Sequence, residues 1–191
     1  CDNFFYKKGA PKIDLYMIAK NVSSPMGKGS DSTPISIEFA RQKVFLVDSA
    51  QFGMEPLVIK AFPMVYCYLP SFRGEQADER HLNQFFHCEA ELRDDLNETI
   101  KVVNELIKYL IDDFIKNWRG KKTFEVPLKK LPHIINNKFP VITFDEAYIE
   151  LKKKGLEHLV KFRDYGRVIS AQGEKALTKI ITRDKMPLWI T

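Results

Sequence analysis

Two strand-like runs joined by one polar loop constrain this chain more than any other feature. Val65 to Phe72 is rich in aromatic and β-branched residues, and Gln84 to Leu92 alternates in character at each step, the period of a pleated strand. In the second run Phe86, Cys88, Ala90 and Leu92 form an apolar face. Phe85, His87, Glu89 and Glu91 form the other, because successive strand side chains point to opposite sides. Gly74 to Asn83 between them is polar and turn-like, and a connection of that length makes an antiparallel pair the simplest arrangement.

The clearest helix follows. Asp95 and Glu98 have the spacing of a capping box with Asp in place of Ser or Thr, and Leu96, Ile100, Val103, Ile107, Leu110, Phe114 and Trp118 recur at three- and four-residue steps. Arg119-Gly120 is expected to stop it, with a polar connection containing Pro127 and Pro132 beyond. Thr143 and Glu146 make a second capping box, for a helix to Gly155, and a third helix is expected over Gly173 to Ile181. Near the start, Ser23 to Pro34 reads as a loop, Val44 to Val47 as a buried strand, and Gln51 to Ile59 as the start of a helix, while Cys1 to Ala19 gives no clear pattern. Strand-rich and helix-rich stretches without a βαβ rhythm favour an α+β fold with an antiparallel β-sheet flanked by helices.

The chain has 191 residues, enough for one domain with a real core. Its net charge of +5 suits an anionic partner but is shared with many unrelated proteins. Cys1, Cys67 and Cys88 lie far apart. That spacing suggests neither a zinc site nor a disulfide framework, and it points to a reducing, cytoplasmic compartment. No run is long enough for a membrane helix.

The chemistry concentrates in Phe72-Arg73-Gly74-Glu75 and Arg80-His81-Leu82-Asn83-Gln84-Phe85. If the strands pair, two guanidiniums, an imidazole, a carboxylate and an aromatic ring converge on one surface. An arginine fork suits phosphate, and an aromatic face can stack a purine. From composition alone a charged hairpin loop with Phe85 in the core is the simpler reading. Met26-Gly27-Lys28-Gly29-Ser30 lacks the earlier Gly of a P-loop.

The pattern Phe-Arg-x-Glu, a short loop, Arg-His-Leu, then Phe four residues after the His resembles motif 2 of class II aminoacyl-tRNA synthetases. With residues 72–91 as that motif, the form is that of the aspartyl/asparaginyl subgroup. The resemblance implies that Arg73 holds the α-phosphate of ATP and the substrate carboxylate. It also implies that Glu75 contacts the adenine side, that Arg80 and His81 reach the terminal phosphates, that Phe85 stacks on adenine, and that Leu82 belongs to the same ATP-binding set. Asp48 to Glu55 is similar to the Ser-x-Gln segment lining the amino-acid pocket, which assigns Ser49, Gln51 and Glu55 to it. Aspartyl enzymes carry Lys where Met54 stands, and asparaginyl enzymes an acid where Glu55 stands. His87-Cys88-Glu89-Ala90-Glu91 resembles the His-x-Glu-Ala-Glu run of asparaginyl enzymes and adds His87 and Glu89. By position Met26-Gly27-Lys28-Gly29-Ser30 resembles the mobile loop that closes over the amino acid, with Asp31 its acid. Lys138 to Ala147, Asp164-Tyr165-Gly166, Gly173-Glu174 and Leu188 to Thr191 are similar to later segments of the same group.

The implied activity is ATP-dependent activation of an amino acid, asparagine rather than aspartate, then transfer to tRNA, with ATP and Mg²⁺ required and no metal ligand assigned. A homodimer is expected of the full-length protein, and no membrane. Motif 3, its acidic metal site and an anticodon-binding barrel do not appear within residues 1–191, so the resemblance is to a partial catalytic core. Two alternatives stay open: a tRNA-independent, asparagine synthetase-like paralogue working through aspartyl-adenylate, and a non-catalytic synthetase-like binding module.

Overall fold

The computed structural model describes residues 1–23, 33–77, 81–117, 131–164 and 166–191. The expected closing loop Met26 to Ser30 with its acid Asp31, and Arg80, Trp118, Arg119-Gly120, Pro127 and Tyr165, lie outside the described residues. Residues 1–101 and 102–191 form two compact units.

The first unit is built on β4 (Met64–Phe72) and β5 (Gln84–Leu92), paired antiparallel from Met64↔Leu92 to Phe72↔Gln84. Both lie where sequence alternation puts them. The other side of β4 is tied to the segment before it: Ile13 N–H donates to Tyr66 O at 2.8 Å, and Phe72 N–H to Val47 O at 2.9 Å. Among the described residues no strand pairs along the outer edge of β5. A smaller antiparallel sheet orders β1 (Ile18–Ala19), β3 (Gln42–Leu46) and β2 (Ile35–Phe39), with β3 in the middle. Its β2–β3 turn is the two-residue Ala40-Arg41, both at positive φ (51° and 61°). That is the geometry of a type I′ hairpin, which ordinarily takes Asn-Gly.

Helix α2 (Gln51–Lys60) carries Pro56 within it and buries Met54 and Val58, one turn apart. These pack with Val47, Ala50, Val65, Cys67 and Leu69 into one core. Val65, Cys67, Leu69 and Ser71 alternate along β4 and pair directly with Glu91, Glu89, His87 and Phe85 of β5, so the core and the polar residues of β5 share one side of the sheet. The apolar face expected of β5 is therefore not the packed one: Phe86 is 74% exposed and Cys88 is exposed. Alternation separates the faces of a strand, but the neighbouring strand and helix decide which is covered. On the outer face α1 (Asp2–Lys7) reaches only part of the way, with Phe5 stacked on Tyr66 at 4.4 Å.

The long helix α3 (Leu96–Asn117) starts where expected, Asp95 accepting from Glu98 N–H at 2.9 Å. Its apolar stripe is only partly covered: Leu96 and Leu110 are exposed, and Val102, outside the expected stripe, is buried. In the second unit the expected connection around Pro132 contains a short helix, α4 (Leu131–Asn136). Proline is tolerated there because a helix's first amides have no internal partner. Strand β6 (Val141–Ile142) leads into α5 (Phe144–Lys153), closed by the full Thr143–Glu146 capping box. A 3₁₀ turn and the hairpin β7 (Val160–Arg163) and β8 (Gly166–Ile169) follow. Then come α6 (Ala171–Leu177), a π-helical turn to Thr182, and β9 (Trp189–Ile190). The third helix thus begins two residues earlier than expected, capped by Ser170. Strand β9 pairs in parallel with β6, whereas the other pairs among the described strands are antiparallel. Ala147, Leu151, Val160 and Leu177 form this unit's core. Gly173 lets α6 approach β8, since a Cβ there would fall 2.7 Å from Ile169 Cγ2.

Candidate active site

The inner face of β5 presents Phe85, His87, Glu89 and Glu91 in a row, and each recruits a different neighbour. The Arg73 guanidinium, just past the end of β4, lies 5.5 Å from the Phe85 ring centroid. Phe85 meets the His87 ring edge-on at 4.6 Å. Arg73, His81, Leu82, Phe85 and His87 line a cavity of about 400 Å³. An aromatic floor and a cationic wall are what a nucleotide requires.

The loop flanks are tied together. Arg73 N–H donates to Asn83 O at 2.9 Å, and Asn83 Nδ2 donates back to Arg73 O at 2.9 Å and to Glu75 O. Gly74 N–H donates to Thr33 O at 2.8 Å. A Cβ on Gly74 would come within 2.9 Å of that same carbonyl, so only glycine fits. Glu75 accepts from Thr33 N–H at 2.9 Å. That bond, helped by its own backbone amide, Arg73 and His81, holds its carboxyl below the usual range against the opposing effect of burial. Glu75 thus braces the loop base and is not among the cavity's lining residues.

His87 links this cavity to a second, acidic group. Its Nδ1 lies 2.7 Å from both Ser71 Oγ and Glu89 Oε1. The other oxygen of Glu89 accepts from Ser49 Oγ at 3.2 Å and from Ala50 N–H. Ala50 is the N-cap of α2 and makes no side-chain cap of its own, so Glu89 supplies a carboxylate at the positive end of the helix. Gln51 N–H donates to Ser49 Oγ at 3.1 Å, and Gln51 Nε2 to Glu55 Oε1 at 2.8 Å. Buried Asp48 fixes the start of this turn by accepting from Ser23 N–H and Ser23 Oγ.

Glu91 joins the group although sequence reasoning left it outside the expected site. Its carboxyl is pushed above the usual range by burial first, then by the negative charges of Glu55 and Glu89. Its signal was its place on the Phe85 face. Asn83 was also missed, and only its position at a strand entrance, where Asn bonds local backbone, hinted at its role. Met54 is 1% exposed in the apolar core, so it contributes shape and no charge. The structure thus joins Ser49, Gln51, Glu55, His87 and Glu89 in one network and Arg73, His81, Leu82, Phe85 and His87 around one cavity. Asp31 and Arg80 lie outside the described residues.

Fold and site together define a class II aminoacyl-tRNA synthetase catalytic core. The solved structure of asparaginyl-tRNA synthetase from Pyrococcus horikoshii complexed with asparaginyl-adenylate is similar with a TM-score of 0.80 and 26% identity, covering 99% of this chain and 41% of that one. Residues 7–191 match the family described as tRNA synthetases class II (D, K and N), and the chain belongs to that family. Among curated relatives, an asparagine–tRNA ligase of Thermococcus gammatolerans is 31% identical over 78% of this chain and 34% of its own length. One from Malacoplasma penetrans is 27% identical over 92% of this chain and 41% of its own length. The chain thus spans about a third to two fifths of these relatives. No described helix is long and apolar enough to cross a membrane.

Proposed function

We propose that this chain is part of an asparaginyl-tRNA synthetase-type enzyme that activates asparagine with ATP and passes it to tRNA. The observation that carries the reading is the continuity of the two groups through His87: an aromatic and cationic cavity of nucleotide size on one side, and a carboxylate cluster at the start of α2 on the other. In the proposed reaction the carboxylate of asparagine attacks the α-phosphate of ATP, giving asparaginyl-adenylate and releasing pyrophosphate. The contribution of this chain is positioning and charge neutralisation. Arg73 holds phosphate and substrate carboxylate, His81 reaches toward the outer phosphates, Phe85 stacks the base, and Glu89 receives the substrate ammonium group. No covalent nucleophile is required. Arg80 and Asp31 are assigned to the terminal phosphates and the amino acid by resemblance only.

The substrate preference rests on Glu55, Glu89 and Glu91. Glu55 and Glu89 add to burial in raising the proton affinity of Glu91, and a group of carboxylates so placed repels an aspartate side chain and accepts hydrogen bonds from an asparagine amide. Among the described residues no group of three His, Cys, Asp or Glu side chains is placed to hold a metal, so the Mg²⁺ implied by the resemblance has no ligand set here. A homodimer and a cytoplasmic setting are further parts of the proposal.

The test is ATP–pyrophosphate exchange by the protein carrying this chain, with asparagine and aspartate side by side. Exchange driven by asparagine, followed by charging of tRNA, is expected. Exchange driven only by aspartate without tRNA charging would replace this reading with the amidating paralogue, and exchange with neither would overturn the enzymatic reading.

A further inference from the structure

On the packed face of β4, Val65, Cys67 and Leu69 are followed by Ser71, which is 0% exposed. A buried hydroxyl costs stability unless it is hydrogen-bonded, and an alanine would take nearly the same space without that demand. Among the described residues the Ser71 hydroxyl has one partner, His87 Nδ1 at 2.7 Å. In the ladder Leu69 is opposite His87 and Phe85 is opposite Ser71, so this bond runs diagonally between the two strands.

Nδ1 lies equally close to Glu89 Oε1, at 2.7 Å. The other Glu89 oxygen already accepts from Ser49 Oγ and Ala50 N–H, as an ionised carboxylate does. Nδ1 therefore carries a proton and shares it between Glu89 and Ser71. Turning the ring over would put Cδ2 in the place of Nδ1 and lose both bonds, and Phe85 meets the ring edge-on from the side. One orientation is left. In it Nε2, which bonds no described residue, is the polar atom that His87 brings to the cavity it lines with Arg73 and Phe85.

We propose that Ser71 is a positioning residue for amino-acid activation: it holds His87 by Nδ1 so that Nε2 reaches the α-phosphate of ATP where the asparagine carboxylate attacks. This role rests on the function proposed above. As the imidazolium, the ring donates from Nε2 to a phosphate oxygen while Glu89 balances its charge from the other side. Glu89 has a second duty there, toward the substrate ammonium group. Ser71, fixed within the sheet, holds the ring whether or not the amino acid is bound. The same strand delivers Arg73 two residues further on, so β4 aims both groups at one phosphate.

The experiment is pyrophosphate exchange by the protein carrying this chain, with kcat and the KM values for ATP and asparagine read separately, beside a thermal melt. Ser71→Ala is expected to lower kcat about tenfold and to leave both KM values and Tm little changed, the pattern of a contact made in the transition state. His87→Asn keeps a donor at the place of Nδ1 and has nothing at that of Nε2; it should lose about 10²-fold in kcat. His87→Gln, whose amide reaches the place of Nε2, should stay more active than His87→Asn. Adding Ser71→Ala to His87→Asn should cost nothing further, because Ser71 then has no Nε2 to aim. Unchanged kcat in Ser71→Ala, the same tenfold fall repeated on the His87→Asn background, or a loss that follows a fall in Tm would overturn the role of Ser71 and leave the proposed function standing. His87→Asn as active as the wild type would remove Nε2 from the reaction and Ser71 with it. A wild type that exchanges with no amino acid would overturn the proposed function, and this role along with it.

Discussion

Arg73 illustrates how much one residue can carry. It leaves β4 with both of its backbone groups clasped by Asn83 and its guanidinium near Phe85, so the side chain is aimed before any ligand arrives. Arg73→Ala is expected to lower pyrophosphate exchange by about 10²–10³-fold with an unchanged circular dichroism spectrum; normal exchange would remove Arg73 from the site. Glu55→Gln removes one charge from the carboxylate group and should reduce discrimination between asparagine and aspartate, read as the ratio of kcat/KM for exchange. Glu91 gives a prediction in pH. Its folded pKa is raised, so the protonated form is favoured in the native state, and native stability falls as pH rises through that pKa. Glu91→Gln should therefore raise Tm at pH 7 relative to wild type. The gain should fade below the ordinary glutamate pKa of 4.5, where the wild-type side chain is already neutral in both states. The positions of Ser49, Gln51, Glu55 and Glu89 were legible because their types recur at fixed offsets. Glu91 and Asn83 were not, because their roles come from neighbours distant in sequence: Glu55 on α2 and the backbone of Arg73.

Elements whose sequence agreed with their geometry were read correctly. Strand β5 alternates from Phe86 to Leu92, and α5 announces itself by Thr143 and Glu146, whose reciprocal bonds are both present. Elements held by context were not read. Val160 to Arg163 alternates in polarity but over only four residues, and Gly166 to Ile169 does not alternate, so neither run announces a strand. The β2–β3 hairpin was hidden because Ala40-Arg41 gives no turn signal, and holding these residues at positive φ costs about 1–2 kcal/mol each. Arg41→Gly should remove one such cost and raise Tm by a few degrees in a thermal melt; a decrease would mean that Arg41 makes a compensating contact.

For the molecule as a whole, the family was legible because its motifs follow one another in order, and the same residues match it as a unit. Which face of the central strands is covered was not, because nothing in β5 itself distinguishes an apolar face that is packed from one that is open. Phe86 and Tyr68 stand exposed at 74% and 37%, beside a nine-residue edge that has no strand partner among the described residues. Such an edge is a template for further pairing. The 191-residue chain should therefore self-associate as its concentration rises, and Phe86→Lys should reduce that association in static light scattering. Equal scattering from both would show that this face is not responsible.

The parallel pairing of β6 with β9 sets a timetable. Every ladder of the first unit is complete in sequence by Leu92, whereas Val141 waits for Trp189, nearly fifty residues later, before its ladder can close. During synthesis at about 5–20 residues per second, the carboxylate group and the aromatic cavity can assemble seconds before the second unit has its closing strand. A ribosome paused near residue 150 would already display a nascent chain with the pocket formed, before the closing strand of the second unit had been made.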